Sequence, residues 1–272
     1  MINGGVEMIQ LYSGTPGSGK SFHATQRIFY CLRGRKNVIC NYDINLDNCR
    51  KNVFQFYLSK IFKHLKGHKR IGDFVYKNNT ELTVDFLKQY AKEHHNRKKE
   101  GQTLVVIDEC GIIFNPRTFL QADRLRWIEF FSLHRHYGFD FILVSQSDRM
   151  LDRQIRSFIE YEHKHRKVNN FGLGGMIIHL LTASTWFIDV KIWYGIREKV
   201  SSEWMRYSSR IASLYDTMYL EEDDEGNPAD AVTDDVVDGL PESGGTEGGP
   251  TEDSPATAPS DTPVSRCSLP DS

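Results

Sequence analysis

Residues Gly14–Ser21 read GTPGSGKS and match the phosphate-loop pattern G-x-x-x-x-G-K-[ST] at every fixed position. A β-leaning run, EMIQLY, precedes this loop, and a helical segment from about Gly19 to Arg33 follows it. Glycine lets backbone N–H groups curl around a phosphate where a Cβ atom would clash, and a helix N-terminus adds a favourable dipole. The stretch therefore predicts a phosphate-binding loop between a strand and a helix. The alternative is a chance glycine-rich turn.

Each residue of the loop has an expected part in holding a nucleotide. Lys20 is expected to bridge the β- and γ-phosphates of ATP, and the Ser21 hydroxyl is expected to hold Mg²⁺. The other members of the expected cradle are Gly14, Thr15, Pro16, Gly17, Ser18 and Gly19.

A second motif, TLVVIDE, ends in the paired carboxylates Asp108 and Glu109. Its continuous apolar run is typical of a strand that is buried on both faces of a parallel sheet. Asp108 is predicted to hold the Mg²⁺ shell, and Glu109 is predicted to be the base that polarises the attacking water. Paired acids favour the P-loop branch that hydrolyses ATP with a glutamate. The alternative is a pair that only caps the next loop.

A third polar strand end occurs in FDFILVSQSD, where Ser145 and Gln146 follow an apolar run. A side-chain amide both donates and accepts hydrogen bonds, so Gln146 is the predicted contact to the γ-phosphate or to the lytic water. An ordinary strand end is the alternative interpretation.

The order of these segments predicts the fold class. Strands that alternate with helices indicate an α/β protein with a parallel sheet, and ADRLRWIEFFSLHRHYG has helical spacing with a stop at Gly138. We expect a P-loop NTPase core over residues 1–158, with an additional strand between the two motif strands. The long stretch between the two motifs, which includes a polar insertion at about 45–101, leaves room for that strand. Residues 159–220 are expected to form a small β-rich and helical extension, with its helix over Ser202–Tyr219.

Charge is distributed unevenly along the chain. The net charge is −2, but fifteen of the 36 acidic residues and only one of the 34 basic residues follow Leu220, so residues 1–220 carry +12. A basic body favours a polyanionic partner, although basic residues can also merely solvate a surface. Residues 221–272 combine acidic residues with Gly, Pro, Ser and Thr, which predicts a disordered acidic tail.

No targeting or membrane-spanning segment is expected from the sequence. The most apolar later stretch, GGMIIHLLTASTWFIDVKIWYG, is interrupted by His179, Asp189 and Lys191, whereas a spanning helix needs about 20 largely apolar residues. The five cysteines form no CxxC pair. We therefore expect a cytoplasmic protein, with reversible contact at a membrane left open.

With these motifs, the chain resembles the zonular occludens toxin family, the assembly ATPases of filamentous phages. The resemblance covers roughly Met8–Leu220 and depends on YSGTPGSGKS, VVIDECGIIFNPR and LHRHYGFDFILVSQSDRMLDRQIRSFIEY. It implies a RecA-like ATPase core that drives single-stranded phage DNA through the host envelope while coat protein assembles. Members usually carry a transmembrane helix and an extracytoplasmic tail, to which toxin activity is attributed, and neither is visible in this sequence.

The expected partners follow from the resemblance and from the basic residues. Arg149 and Arg153 follow the strand that ends at Gln146, and in ring ATPases such an arginine reaches the γ-phosphate of a neighbouring subunit. For each, a solvated or salt-bridged arginine is the alternative. The basic runs KIFKHLKGHKR, HNRKK and HKHRK are candidates for single-stranded DNA contact, or for solvated faces. Further copies of the chain and phage coat or membrane assembly proteins complete the expected partners.

The expected function is an ATP-hydrolysing motor for phage DNA export or packaging, in the host cytoplasm or at the inner face of the host membrane. An alternative is a nucleotide-dependent scaffold or switch that recruits coat or membrane partners with little turnover. A secreted effector is the least favoured of the three.

Overall fold

An eight-stranded sheet organises residues 9–62, 65–117, 120–168 and 184–215, which are the residues that the computed structural model describes. The strands are β1 (Ile9–Ser13), β2 (Asn37–Cys40), β3 (Phe74–Tyr76), β4 (Thr103–Ile107), β5 (Phe139–Val144), β6 (Tyr161–Lys167), β7 (Trp186–Trp193) and β8 (Glu198–Arg206). The helices are α1 (Lys20–Arg33), α2 (Leu46–Arg50), α3 (Val53–Ser59), α4 (Val84–His94), α5 (Gln121–Tyr137), α6 (Arg153–Arg156) and α7 (Ser209–Ala212), with a 3₁₀ turn at Asp148–Met150.

The strand order is β3-β2-β4-β5-β1-β6-β7-β8. The first six strands in this order run parallel, and β7 and β8 are antiparallel to their neighbours. The RecA-like P-loop fold is therefore confirmed, because an additional strand separates β1 from β4. The expected origin of that strand is wrong, however. It is β5, which follows the second motif, whereas the insertion supplies the short, partly exposed β3 at the edge of the sheet.

The central strands are buried because both faces of the sheet are covered. Residues of β1, β4 and β5 alternate between two apolar clusters, since successive strand side chains point to opposite faces. Leu11 belongs to the cluster that contains core residues of α4 and α5, and Tyr12 belongs to the cluster that contains core residues of α1. This arrangement leaves the carboxyl ends of the parallel strands together at one edge, where ligands of open α/β sheets bind.

Residues beyond 158 continue the same sheet, because β6 pairs with β1 and the β7–β8 hairpin extends it. The helix expected over Ser202–Tyr219 is wrong in its first part. Residues up to Arg206 form β8, and helix is described only at α7. Pairing of Met205 with Phe187 buries both side chains, and this tertiary contact overrides the local helical pattern.

The chain divides into two units, Met1–Leu220 and Glu221–Ser272. The second unit, for which a disordered acidic tail is expected, lies outside the described residues. Across the described ranges, no helix has both the length and the apolar character that a membrane crossing requires.

Candidate phosphate-binding site

The loop between β1 and α1 has a backbone that only glycine adopts easily. Gly14, Gly17 and Gly19 have φ angles of 145°, 71° and 95°. A Cβ atom on Gly14 would lie 2.5 Å from the His165 carbonyl oxygen. A Cβ atom on Gly19 would lie 2.7 Å from Cδ1 of Phe187. Conformation therefore requires all three glycines, and close packing requires two of them.

Backbone hydrogen bonds hold the loop at the sheet edge. The Gly14 N–H donates to the Gln146 carbonyl oxygen at 3.3 Å, and the Ser18 N–H donates to the Thr15 carbonyl oxygen at 3.2 Å. Helix α1 begins at Lys20 without a side-chain cap and without an acidic residue in its first turn. Its N-terminal N–H groups and dipole are thus left to an anion from outside the helix.

Lys20 is a buried cation at the base of this loop. Its side chain is folded back so that Nζ donates to the carbonyl oxygens of Gly14, at 2.9 Å, and Thr15, at 3.2 Å. Burial lowers the pKa of Lys20, while the charges of Glu109 and Asp108 act in the opposite direction. Neutral carbonyl groups are weak partners for a buried ammonium ion, so the geometry favours an anion here.

The remaining loop residues differ in exposure. Thr15, Pro16 and Gly17 are exposed, and Ser21 is partly buried in the first turn of α1. Ser18 is buried, and within the described part of the chain its Oγ atom has no hydrogen-bond partner. A hydroxyl in this state is available to a bound ligand.

Asp108 is held at the end of β4 by a residue that sequence reasoning missed. The Asp108 N–H donates to Oδ1 of Asn41 at 2.7 Å, and Nδ2 of Asn41 donates to the Asp108 carbonyl oxygen at 2.8 Å. Nδ2 of Asn41 also donates to Oδ1 of Asn79 at 2.7 Å. The available signal was a polar residue directly after the buried strand NVIC, on the neighbour of β4.

Glu109 occupies a strained position next to Asp108. Its φ angle is 46°, in the left-handed region, and its N–H donates to Oδ1 of Asp108 at 2.8 Å. Its side chain is exposed, whereas the next residue, Cys110, is buried and bonds through its N–H to the Val144 carbonyl oxygen. The turn therefore directs Glu109 towards solvent, while the following residue, Cys110, is held against β5. Strain of this kind is concentrated at functional sites.

The end of β5 meets the same edge of the sheet. Ser145 is fully buried and its Oγ donates to the Ser147 carbonyl oxygen at 3.0 Å, so it has a structural role. The Gln146 side chain is exposed, and its backbone carbonyl receives the Gly14 N–H. The structure thus brings together the ends of the three strands that carry the predicted site residues.

A charged network that the sequence did not suggest lies beside this site. Ser13 Oγ donates to Oε1 of the buried Glu162 at 2.7 Å, and Arg197 donates to Oε2 of Glu162 at 2.7 Å and to Oδ2 of Asp148 at 3.0 Å. Tyr194 also donates to Oδ2 of Asp148. Burial by itself would raise the pKa of Asp148, but these hydrogen bonds outweigh it and lower the pKa. The network links the end of β1 to the segment after β5.

The candidate arginines and basic runs are placed as follows. Arg149 and Arg153 are both exposed, at the 3₁₀ turn and at the start of α6. The run HKHRK forms most of β6, where strand alternation buries His163 and His165. The expectation of DNA contact is therefore wrong for these two histidines.

The run KIFKHLKGHKR follows α3, with residues 63 and 64 outside the described ranges. The exposed residues of α3 and of the described part of this run are here called the α3 surface, and they include Phe54, Tyr57, Lys60 and Phe62. Phe54 is 75% exposed, and Nζ of Lys60 lies 5.6 Å from the centre of the Tyr57 ring.

Sequence comparison relates the chain to a family and to phage proteins. A family model described as zonular occludens toxin (Zot) matches residues 8–219. The Gene 1 protein of Enterobacteria phage I2-2 is 23% identical over 223 residues, which are 78% of this chain and 57% of that protein. The Gene 1 protein of Enterobacteria phage M13 is 24% identical over 219 residues, which are 77% and 59%. The chain spans less than two thirds of the length of these relatives.

Solved structures show a weaker similarity. The N-terminal domain of zonular occludens toxin from Neisseria meningitidis has a TM-score of 0.42 and 15% identity, and the match covers 78% of this chain and 100% of that domain. The DNA-packaging ATPase from Sulfolobus Turreted Icosahedral Virus has a TM-score of 0.42 and 17% identity, with 73% and 96% covered. The fold assignment depends on the strand order and the motif positions, and not on these similarities.

Proposed function

Because the chain belongs to the zonular occludens toxin family, we propose that it is an ATP-hydrolysing motor of phage assembly, which moves single-stranded DNA during export or packaging. The observation that supports this most strongly is the loop of three positive-φ glycines around the buried Lys20. The relatives that match are phage Gene 1 proteins, which agrees with a role in phage assembly.

The residues present fit ATP with Mg²⁺. The free N-terminus of α1, the glycine backbone and Lys20 all favour the β- and γ-phosphates, and a phosphate oxygen would replace the carbonyl partners of the lysine. Asp108 and the hydroxyl of Ser21 are oxygen donors of the kind that Mg²⁺ takes in P-loop sites. The magnesium ion would supply charge neutralisation between the phosphates.

Turnover is assigned to the exposed groups at the strand ends. Glu109 accepts a proton from the attacking water, because its carboxylate is exposed at the end of the strand that also carries Asp108. Gln146 orients that water or senses the γ-phosphate from the end of β5. Arg149 and Arg153 are proposed to act on the site of a neighbouring subunit, which their exposure permits.

Single-stranded DNA is proposed to contact the α3 surface. Exposed aromatic rings stack on bases without sequence preference, and nearby cations follow the phosphate backbone. Phe54, Tyr57 and Phe62 supply the rings, and Lys60, Lys69 and Arg70 supply exposed charge.

Steady-state ATPase measurements with Mg²⁺, with and without single-stranded DNA, test the proposal. We expect turnover that DNA stimulates, with Glu109→Gln reducing kcat roughly 10²-fold or more while ATP still binds. Glu93→Gln, an exposed acid on α4, is the control and leaves kcat unchanged. Normal turnover by Glu109→Gln contradicts the assigned mechanism, and ATP binding without turnover in the wild-type chain favours the switch.

The trans role of the arginines has its own test. Arg153→Ala should lower kcat but leave ATP affinity intact, and mixing it with Glu109→Gln subunits should restore part of the activity, since each variant supplies what the other lacks. Arg135→Ala, at an exposed arginine on α5, is the matched control. A monomeric mass under turnover conditions contradicts this arrangement.

A further inference from the structure

Four buried side chains of metal-ligand type meet behind the phosphate loop. They are 2–8% exposed and comprise His23 on α1, His163 and His165 on β6, and Asp189 on β7. Nδ1 of His23 lies 2.8 Å from Nε2 of His165 and 3.9 Å from Oδ2 of Asp189. One ligand atom from each of these three residues lies within 4.8 Å of the others. Ligand atoms of a tetrahedral ion with bonds of 2.0–2.1 Å are about 3.3 Å apart, so small shifts would bring the three around one ion.

The hydrogen bonds of His165 fix which of its nitrogens is available. Nδ1 lies 3.3 Å from the Ser13 carbonyl oxygen and 3.0 Å from the His163 carbonyl oxygen. Carbonyl oxygens only accept, so Nδ1 carries the hydrogen and Nε2 directs its lone pair towards His23. Histidines that bind metals are commonly supported in this way, with the second nitrogen donating to a backbone carbonyl.

Two polar atoms of this cluster are left unsatisfied. Oδ2 of Asp189 accepts from Nδ1 of His163 at 2.6 Å. Within the described ranges, Oδ1 of Asp189 and Nε2 of His163 are buried and have no hydrogen-bond partner. Buried polar atoms are normally paired, and an orphaned carboxylate oxygen beside two imidazoles is a position that a cation would satisfy.

We propose that His23, His165 and Asp189 bind a divalent transition-metal ion of the Zn²⁺ type, with water as the fourth ligand and His163 holding the carboxylate in place. Two imidazole nitrogens and one carboxylate oxygen form a donor set that suits zinc. A cavity of about 730 Å³, lined in part by His23, His163 and Asp189, provides a route for the ion and the water.

The protonation states agree with this role. Burial lowers the pKa of His23 and lowers that of His165 to about 4, so both imidazoles are neutral at pH 7. Binding then requires only that the hydrogen on Nδ1 of His23 move to Nε2, without net proton release. Arg27 and Lys191 line the same cavity and oppose a cation, and Asp189 offsets part of that charge.

The ion would support the phosphate loop without entering ATP chemistry. The backbone N–H of His23 donates to the Gly19 carbonyl oxygen at 3.0 Å. The backbone carbonyl of His165 is the group that leaves no room for a Cβ atom on Gly14. A bound ion would therefore fix the first turn of α1 against β6 and β7. This role goes beyond the proposed motor activity and does not depend on it.

The test uses the full chain, purified without a histidine tag, stripped with a chelator and titrated with Zn²⁺ against a chromophoric competitor. We expect one Zn²⁺ per chain, with affinity reduced at least about 10²-fold in Asp189→Asn and in His23→Gln. His134→Gln is the matched control, because His134 is equally buried but bonds to the Phe131 carbonyl oxygen on α5. Its affinity should equal that of the wild type.

X-ray absorption spectroscopy of the zinc-loaded wild-type chain identifies the zinc ligands directly, without the need for a variant. We expect two imidazole nitrogens and two oxygens at about 2.0–2.1 Å. Failure of the wild type to retain zinc, equal affinities in all four proteins, or a shell without imidazole each overturns the proposal. ATP binding measured on the same samples keeps this result separate from the proposed function.

Discussion

At the level of single residues, the phosphate loop needs glycine for two different reasons, which are backbone conformation and lack of space for a Cβ atom. Gly17 needs only its positive φ angle, because a Cβ atom there would meet open space. Gly19 also faces the ring of Phe187 at a distance where no Cβ atom fits. The motif pattern fixes Gly19 but leaves Gly17 at a variable position, so the structure is needed to show why each residue is a glycine.

Alanine substitutions should therefore have unequal effects. We expect Gly17→Ala to lower the free energy of unfolding by about 1 kcal/mol, the cost of a left-handed alanine. Gly19→Ala adds the clash with Phe187, so the loss should rise to about 2–4 kcal/mol and ATP binding should fail. Urea unfolding and nucleotide titration of both variants measure this. Equal losses would show that Phe187 moves freely.

Asn41 provides a second prediction at the residue scale. Asn41→Leu removes both hydrogen bonds to the backbone of Asp108, so the proposed Mg²⁺ ligand loses its support and kcat should fall about 10–100-fold. Asn79→Ala removes only the other hydrogen bond of Asn41 and is the control. Measuring ATPase rates against Mg²⁺ concentration separates lost metal affinity from lost turnover. Equal rates in the two variants would assign Asn41 a role in folding only.

Among the helices and strands, the buried strands and the end of α5 could be predicted from the sequence. The runs that became β1, β4 and β5 are continuous and apolar, and α5 ends before Gly138, which takes the left-handed conformation expected of a helix stop. The β7–β8 hairpin could not be predicted, because β8 is largely exposed. Its strand conformation depends on pairing with β7, and the local sequence pattern does not indicate that pairing. The histidine cluster had no local signal either, since its members come from α1, β6 and β7.

The network around Arg197 predicts a pH effect between elements. Arg197→Met removes hydrogen bonds to Glu162 and Asp148, and because Arg197 is half exposed the expected loss at pH 7 is about 1–2 kcal/mol. The folded-state pKa of Asp148 lies below its ordinary value of 3.8. Its contribution is therefore complete above that value and is lost as the pH falls through the folded-state pKa. The difference between wild type and variant should shrink below pH 3.8.

Urea unfolding at several pH values measures that difference. Arg206→Met is the control, because Arg206 is exposed on β8 and its guanidinium bonds to Oγ of Ser184. If Arg197→Met lowers the free energy of unfolding by the same amount at every pH, Asp148 does not contribute to the effect.

For the whole molecule, the distribution of net charge along the chain follows from the sequence alone. Residues 1–220 carry +12, and the following residues bring the total to −2. If the acidic segment competes with DNA for the basic body, its removal should tighten single-stranded DNA binding and steepen the salt dependence, because more counterions are then released. Fluorescence anisotropy of the full chain and of residues 1–220 at several salt concentrations measures this. Unchanged affinity and slope would rule out competition.

The proposed function requires that the backbone of Gly14–Ser21 hold a nucleoside triphosphate, with Lys20 at its terminal phosphates. Isothermal titration calorimetry with ATP and Mg²⁺ tests it most directly, on the wild-type chain, Lys20→Ala and Glu109→Gln. We expect one binding site in the wild type and in Glu109→Gln, and none in Lys20→Ala. Absence of binding in the wild type, or equal affinity in Lys20→Ala, would contradict it.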